Sequence, residues 1–153
     1  QQAAYALIDE SQKQVVHLQI GRTLLKKTSP EQRSDRLFEI IDHLNQGLEL
    51  VTARSKRTEI ARLNLTAGQK AKAATAYEAA FKYFTTGLKL LNSESWQSEY
   101  DLTLALYSQA AEAAYLQGRF DEMEQFVEVV LDRAKTVVDK VQAYDSRIQG
   151  YLS

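Results

Sequence analysis

Apolar positions recur every three to four residues along almost the whole chain, which is the period of a helix with one face buried. Val16, Ile20 and Leu24, flanked by Val15, Leu18 and Leu25, predict a helix over residues 12–27, with Asp9, Glu10 and Ser11 able to cap it. Gly21 lies in its middle and costs stability relative to alanine, so its expected use is to let another helix approach closely. The sharpest boundary is Thr28-Ser29-Pro30-Glu31-Gln32. Ser29 can cap, Pro30 suits the first helical position, and Gln32 completes a capping box. The helix that follows carries Leu37, Ile40, Ile41, Leu44, Leu48 and Val51 as a stripe.

A polar turn over residues 52–55 precedes a helix over 55–73, with Ile60, Leu63, Ala67, Ala71 and Ala74 on one face. A turn near Thr75 and Ala76 leads into a partner helix over 77–91. Its inward positions are expected to be Ala80, Tyr83, Phe84, Gly87, Leu88 and Leu91. Small residues cluster in the first half of this stretch and large ones in the second. Closely crossing helices need that arrangement, because a small residue leaves the hole that a large one fills. Asn92-Ser93-Glu94-Ser95 breaks the pattern, with Ser95 expected as a cap. A helix over 102–116 then ends at Gly118, and another over 121–134 buries Met123, Phe126, Val127, Val130 and Leu131. A last helix from about 138 shows Val141, Tyr144, Ile148 and Tyr151. No segment alternates with period two for long enough to propose a strand. The sum is an all-α chain of about seven helices.

The two helix pairs align at an offset of 43 residues. Thr75-Ala76-Tyr77 falls on Gly118-Arg119-Phe120, Gly68 on Ala111, and Ala80, Phe84 and Gly87 on Met123, Val127 and Val130. Repeated pairs at such a period imply stacking, each pair burying its face only against the next.

Composition narrows the chemistry. There is no Cys, which excludes disulfides, thiolate metal sites and a cysteine nucleophile. The 6 Gly and single Pro suit long helices rather than many tight turns. The net charge of -1 hides an asymmetry. Residues 1–92 carry 14 Lys/Arg against 9 Asp/Glu, and residues 93–153 carry 5 against 11. That dipole can steer partners, but it lacks the concentrated basic face of a nucleic-acid binder. No apolar run reaches membrane-spanning length. The chain opens on Gln1-Gln2-Ala3-Ala4 without a Met and reads as an excised piece of a longer protein.

No catalytic constellation emerges. His17 and His43, the only histidines, each precede a leucine, whereas a phosphoacceptor histidine normally precedes an acidic residue. Neither has a partner at ligand spacing, so no metal or cofactor is expected. Gly68-Gln69-Lys70-Ala71-Lys72 lacks the second Gly and the Lys-Ser/Thr ending of a phosphate loop. Trp96, beside a loop, is expected to dock on a neighbouring repeat.

Gly68, Ala80, Phe84 and Gly87, with Ala111, Tyr115, Gly118 and Phe120 in the second unit, resemble the tetratricopeptide repeat. The second unit departs from that pattern at Met123 and Val130, and the 43-residue spacing exceeds the family's usual length. The resemblance implies antiparallel helix pairs stacked into a right-handed superhelix. Its concave face would be lined by the first helix of each pair: Arg62, Leu65, Gln69 and Lys72, then Ser108, Glu112 and Tyr115.

A wider resemblance rests on four runs: Gln1 to Ile8, His17 to Leu25, Ala73 to Ala80, and Ala110 to Leu116. Together they look like the helical segment that follows the AAA/STAND-type ATPase module of large bacterial multidomain sensor histidine and serine-threonine kinases. That likeness implies that residues 1–10 are the tail of a winged-helix-like module and residues 11–153 a tetratricopeptide-like domain truncated at its C-terminal end. It implies a cytoplasmic, non-catalytic interaction and relay segment that couples the ATPase switch to kinase output. Expected partners are proteins, either neighbouring domains or a signalling partner, with no nucleic acid and no membrane. Self-association through the cut ends is an expected side effect. The alternative is a sensor arm that binds a small inducer or peptide in the groove.

Overall fold

A computed structural model describes residues 9–153. Residues 1–8 of the expected winged-helix tail lie outside the described residues. The described chain is all helical, with nine α-helices, two short 3-10 turns and no strand. They are α1 (Glu10–Lys27), α2 (Pro30–Arg33), α3 (Leu37–Asn45), α4 (Arg54–Ala73), α5 (Tyr77–Leu90), α6 (Ser95–Ser98), α7 (Tyr100–Leu116), α8 (Phe120–Arg133) and α9 (Val141–Leu152). The count exceeds the expected seven because the capping segments after Ser29 and around Ser95 close as separate single turns. The chain divides into two compact units at Leu63 and Asn64, within α4.

In the first unit α1 packs against α3. Asp9 caps α1, its Oδ1 accepting from the Gln12 N–H at 2.8 Å. Leu37, Ile40, Ile41 and Leu44 form the buried stripe of α3. Gly21, with Gly47 just after α3 against Leu18, sets the spacing of this pair. A Cβ at Gly21 would lie 2.8 Å from the Leu44 side chain, so only glycine admits the approach. The face that α1 buries is not the expected one. Leu18 and Gly21 are buried, whereas Val15, Val16 and Ile20 are exposed. The helix is apolar on more than one side, and the closest approach goes to the side with no side chain. The expected long helix after Pro30 is also broken. Ser29 accepts from the Gln32 N–H at 3.4 Å and Pro30 opens the turn, but α2 lasts four residues before α3 begins afresh at Leu37. Leu48 falls in a 3-10 turn, Leu48–Leu50, with Val51 buried behind it.

The second unit carries the repeat. Helices α5 and α8 are each 14 residues long and begin 43 residues apart, as α4 and α7 end 43 apart. The turns between them match bond for bond. Ala76 N–H donates to Ala71 C=O and Arg119 N–H to Ala114 C=O, both at 2.9 Å. Thr75 N–H donates to Lys72 C=O and Gly118 N–H to Tyr115 C=O, also both at 2.9 Å. This is the bonding of a helix stopped by a left-handed residue. Thr75 (φ 59°) and Gly118 (φ 72°) supply that residue. A β-branched side chain is costly in this conformation and glycine is not. Thr75→Gly is therefore expected to raise stability by about 0.5–1 kcal/mol in urea denaturation. No change would mean the turn relaxes without strain.

Packing between the pairs uses small against large. Helix α7 contacts α5 and α8, and α9 contacts α7 and α8. Ala110, Ala111, Ala113 and Ala114 are each fully buried on α7, a helix that meets neighbours on several sides. On α5 the buried set is Ala80, Phe81, Phe84, Gly87 and Leu90. Tyr83, Leu88 and Leu91, expected inside, are only half-buried. Trp96 is buried and stacks on Tyr107, with ring centroids 5.4 Å apart. Tyr107 meets Phe126 edge-on at 6.1 Å, and Phe126 meets Phe81 at 6.2 Å. This ladder joins α6, α7, α8 and α5. Burial pushes the Tyr107 hydroxyl above its ordinary value, with Arg133 opposing. The folded chain thus holds that proton more tightly than the unfolded one. Tyr107 is expected to contribute full stability below pH ~10 and to lose it as pH rises through its raised folded value. Tyr107→Phe should flatten that alkaline decline in denaturation curves measured across pH.

Candidate functional site

Leu65, Gln69 and Lys72 on α4 and Ser108, Glu112 and Tyr115 on α7 have the same i, i+4, i+7 spacing, which lines up one face of each helix. The structure ties these faces together at one point. Glu112 Oε2 accepts from Lys72 Nζ at 2.7 Å and from Gln142 Nε2 at 3.1 Å. A single carboxylate oxygen therefore links α4, α7 and α9. Lys72 and Glu112 are half-buried, so the bond is partly shielded from water and is charge-assisted.

The remaining candidates are placed differently. Gln69 is exposed, and Leu65 and Tyr115 are half-buried. Ser108 is only 3% exposed, so it packs inside the unit and offers no surface to a partner. Its small side chain suits the crowded face of α7, and that is why it sits there. Arg62 is exposed and belongs to the first unit. Two residues that the sequence did not single out complete the row. Gln142 shares the Glu112 carboxylate, and Arg147 pairs with Glu124 and Glu128 of α8, its Nε lying 3.2 Å from Glu124 Oε2. Glu124 and Glu128, four apart on one helix, were the available signal for a basic residue opposite them.

Lys72 and Glu112 neutralise each other, so a docking partner must compete with an internal ion pair. Among the described residues no group of three or more His, Asp or Glu could hold a metal. His17 and His43 lie together instead, Nδ1 to Nδ1 at 2.9 Å, as one ring donating to the other between α1 and α3. No described helix is long and apolar enough to cross a membrane. Glu112→Ala is expected to cost about 1 kcal/mol, the upper range for a partly exposed pair, because two donors lose one acceptor. Thermal or urea unfolding checks this. A loss no greater than that of Gln142→Ala alone would show that Lys72 gains nothing from the pair.

The chain is similar to part of a signalling kinase. It is 30% identical over 159 aligned positions to hybrid signal transduction histidine kinase G of Dictyostelium discoideum. The alignment takes in 88% of this chain but only 5% of that protein. The likeness is therefore to a small segment of the relative, and the chain spans about a twentieth of that protein's length. No family model and no solved structure matches.

Proposed function

We propose that this chain is a non-catalytic relay segment of a multidomain signal-transduction kinase, built as a tetratricopeptide-like stack. It passes a conformational change from an upstream ATPase switch to downstream kinase output, in the cytoplasm, through contacts with neighbouring protein domains. The observation that carries this reading is the length of the kinase likeness, which runs over nearly the whole chain. Two structural features support the stack. The turn repeats bond for bond at 43 residues, and Glu112 joins α4, α7 and α9 in one row. Such a row suits a relay, because packed helices shift as rigid bodies and an ion pair between them can hold one of two registers.

The test is a chimera. This chain replaces the matching segment of the Dictyostelium kinase, and autophosphorylation is compared with the parent and with a deletion of the segment. The relay reading expects kinase output above the deletion, and a several-fold change in it with Lys72→Glu or Tyr115→Ala. A chimera no better than the deletion, or one indifferent to both substitutions, would remove the reading.

A further inference from the structure

The first unit holds a cleft of about 400 Å3 that the kinase reading does not use. Its apolar wall is Leu25 of α1, Leu44 of α3 and Ile60 of α4. Around it stand Arg22, Lys26 and Arg33. Among the described residues none of these three cations is held in an ion pair. Lys56 and Glu59 also line the cleft, but they pair with each other at 3.1 Å and cancel. The cleft thus presents three uncompensated positive charges beside an apolar wall.

Arg33 adds an independent sign. Its Nε is buried with no hydrogen-bond acceptor in reach. Buried donors are nearly always paired, and an unpaired guanidinium nitrogen is costly to keep. The Nε has no accessible surface as it stands, so an anion in the cleft would satisfy it by drawing the guanidinium outward. Arginine forks match tetrahedral and planar oxyanions, and three cations balance a dianion better than a monoanion. The volume is that of a small-ligand site.

We propose that this cleft binds a small phosphomonoester whose ester group is apolar, the phosphate held by Arg22, Lys26 and Arg33 and the apolar group lying on Leu25, Leu44 and Ile60. The proposal does not depend on the kinase reading. It is tested by titration calorimetry on the 153-residue chain with 1-naphthyl phosphate, inorganic phosphate and 1-naphthoate. Naphthyl phosphate is expected to bind one-to-one and saturably at sub-millimolar concentration. Each of the other two should bind at least about tenfold more weakly, since each lacks one half of the match. Arg33→Gln should weaken naphthyl phosphate binding about tenfold or more. Lys26→Gln, at an exposed position that folding does not need, should weaken it several-fold, and Arg54→Gln, outside the cleft, should leave it unchanged. Circular dichroism establishes that each variant is folded, and Lys26→Gln alone decides if Arg33→Gln is not. No saturable binding overturns the proposal. So does equal affinity in wild type and Lys26→Gln, equal affinity for inorganic phosphate (an unselective anion site), or equal or tighter binding of naphthoate.

Discussion

Phe84→Ala is expected to lower stability by about 3–5 kcal/mol, a large share of what a domain of this size has to lose. Phe84 is fully buried on α5, and its ring lies over Gly68 of α4. A Cβ at Gly68 would sit 2.3 Å from the ring, so the two residues are a single fitted pair. Alanine at 84 leaves a cavity that the neighbouring helix cannot fill with a residue that has no side chain. The positions 43 residues on carry Ala111 and Val127, both fully buried. Transplanting that pair makes the argument sharper. Gly68→Ala alone gains about 1 kcal/mol of helix propensity but overpacks against the ring, for a net loss of up to about 2 kcal/mol. Phe84→Val alone opens space. The double variant should recover part of the summed loss, with a favourable coupling of about 1 kcal/mol or more in a urea double-mutant cycle. Additivity within about 0.5 kcal/mol would show that the two positions do not fit each other.

Repetition marked the two members of that pair in the sequence, Gly68 returning 43 residues later as Ala111 and Phe84 as Val127, but only the structure sets one against the other. The turn at Thr75 was legible for the same reason, with Gly118 marking its equivalent. Burial on α5 was read less well. Phe84, Ala80 and Gly87 are inside as expected, but Phe81 and Leu90 take the places assigned to Tyr83 and Leu91. Helix α5 meets Gly68 of α4 on one side and α7 on another, so its buried arc is wider than one stripe and rotated from the single-partner expectation. On α1 the helix and the close approach at Gly21 are as expected, but the buried face was misread, since its apolar residues go round the helix.

The candidate site was legible only as two faces. Equal spacing placed Lys72 and Glu112 on related helices, but nothing local says that residues 40 positions apart pair. It also could not separate Ser108, which is packed inside, from Gln69, which is exposed. The cationic cleft was invisible for a similar reason. Arg22, Lys26 and Arg33 lie on two helices that the capping segment folds back, and each looks like an ordinary solvated charge. The excess of Lys/Arg in residues 1–92 was its one trace.

Trp96→Ala is expected to cost about 3–5 kcal/mol as well, and for a different reason. Helix α6 is one turn long, too short to hold itself, since a helix of that length has barely repaid its nucleation. Trp96 anchors it by stacking on Tyr107 and lying 5.9 Å from Tyr100. Polar support is slight by comparison. Thr103 Oγ1 donates to Ser95 C=O at 3.2 Å, and Asn92 N–H donates to Ser95 Oγ at 3.3 Å. Without the indole, Tyr107 loses one neighbour in the aromatic ladder and α6 loses its attachment to α7. The substitution removes the only tryptophan, so unfolding must be followed by far-ultraviolet circular dichroism. Trp96→Phe keeps an aromatic face and should lose markedly less than Trp96→Ala, because most of the stacking area survives. Tyr107→Ala gives the reciprocal check, since Trp96 remains as a fluorophore and its native emission should move to longer wavelength as water reaches the ring. A loss under about 1 kcal/mol for Trp96→Ala would contradict the anchoring role, because so small a cost belongs to a surface residue and not to a packed indole.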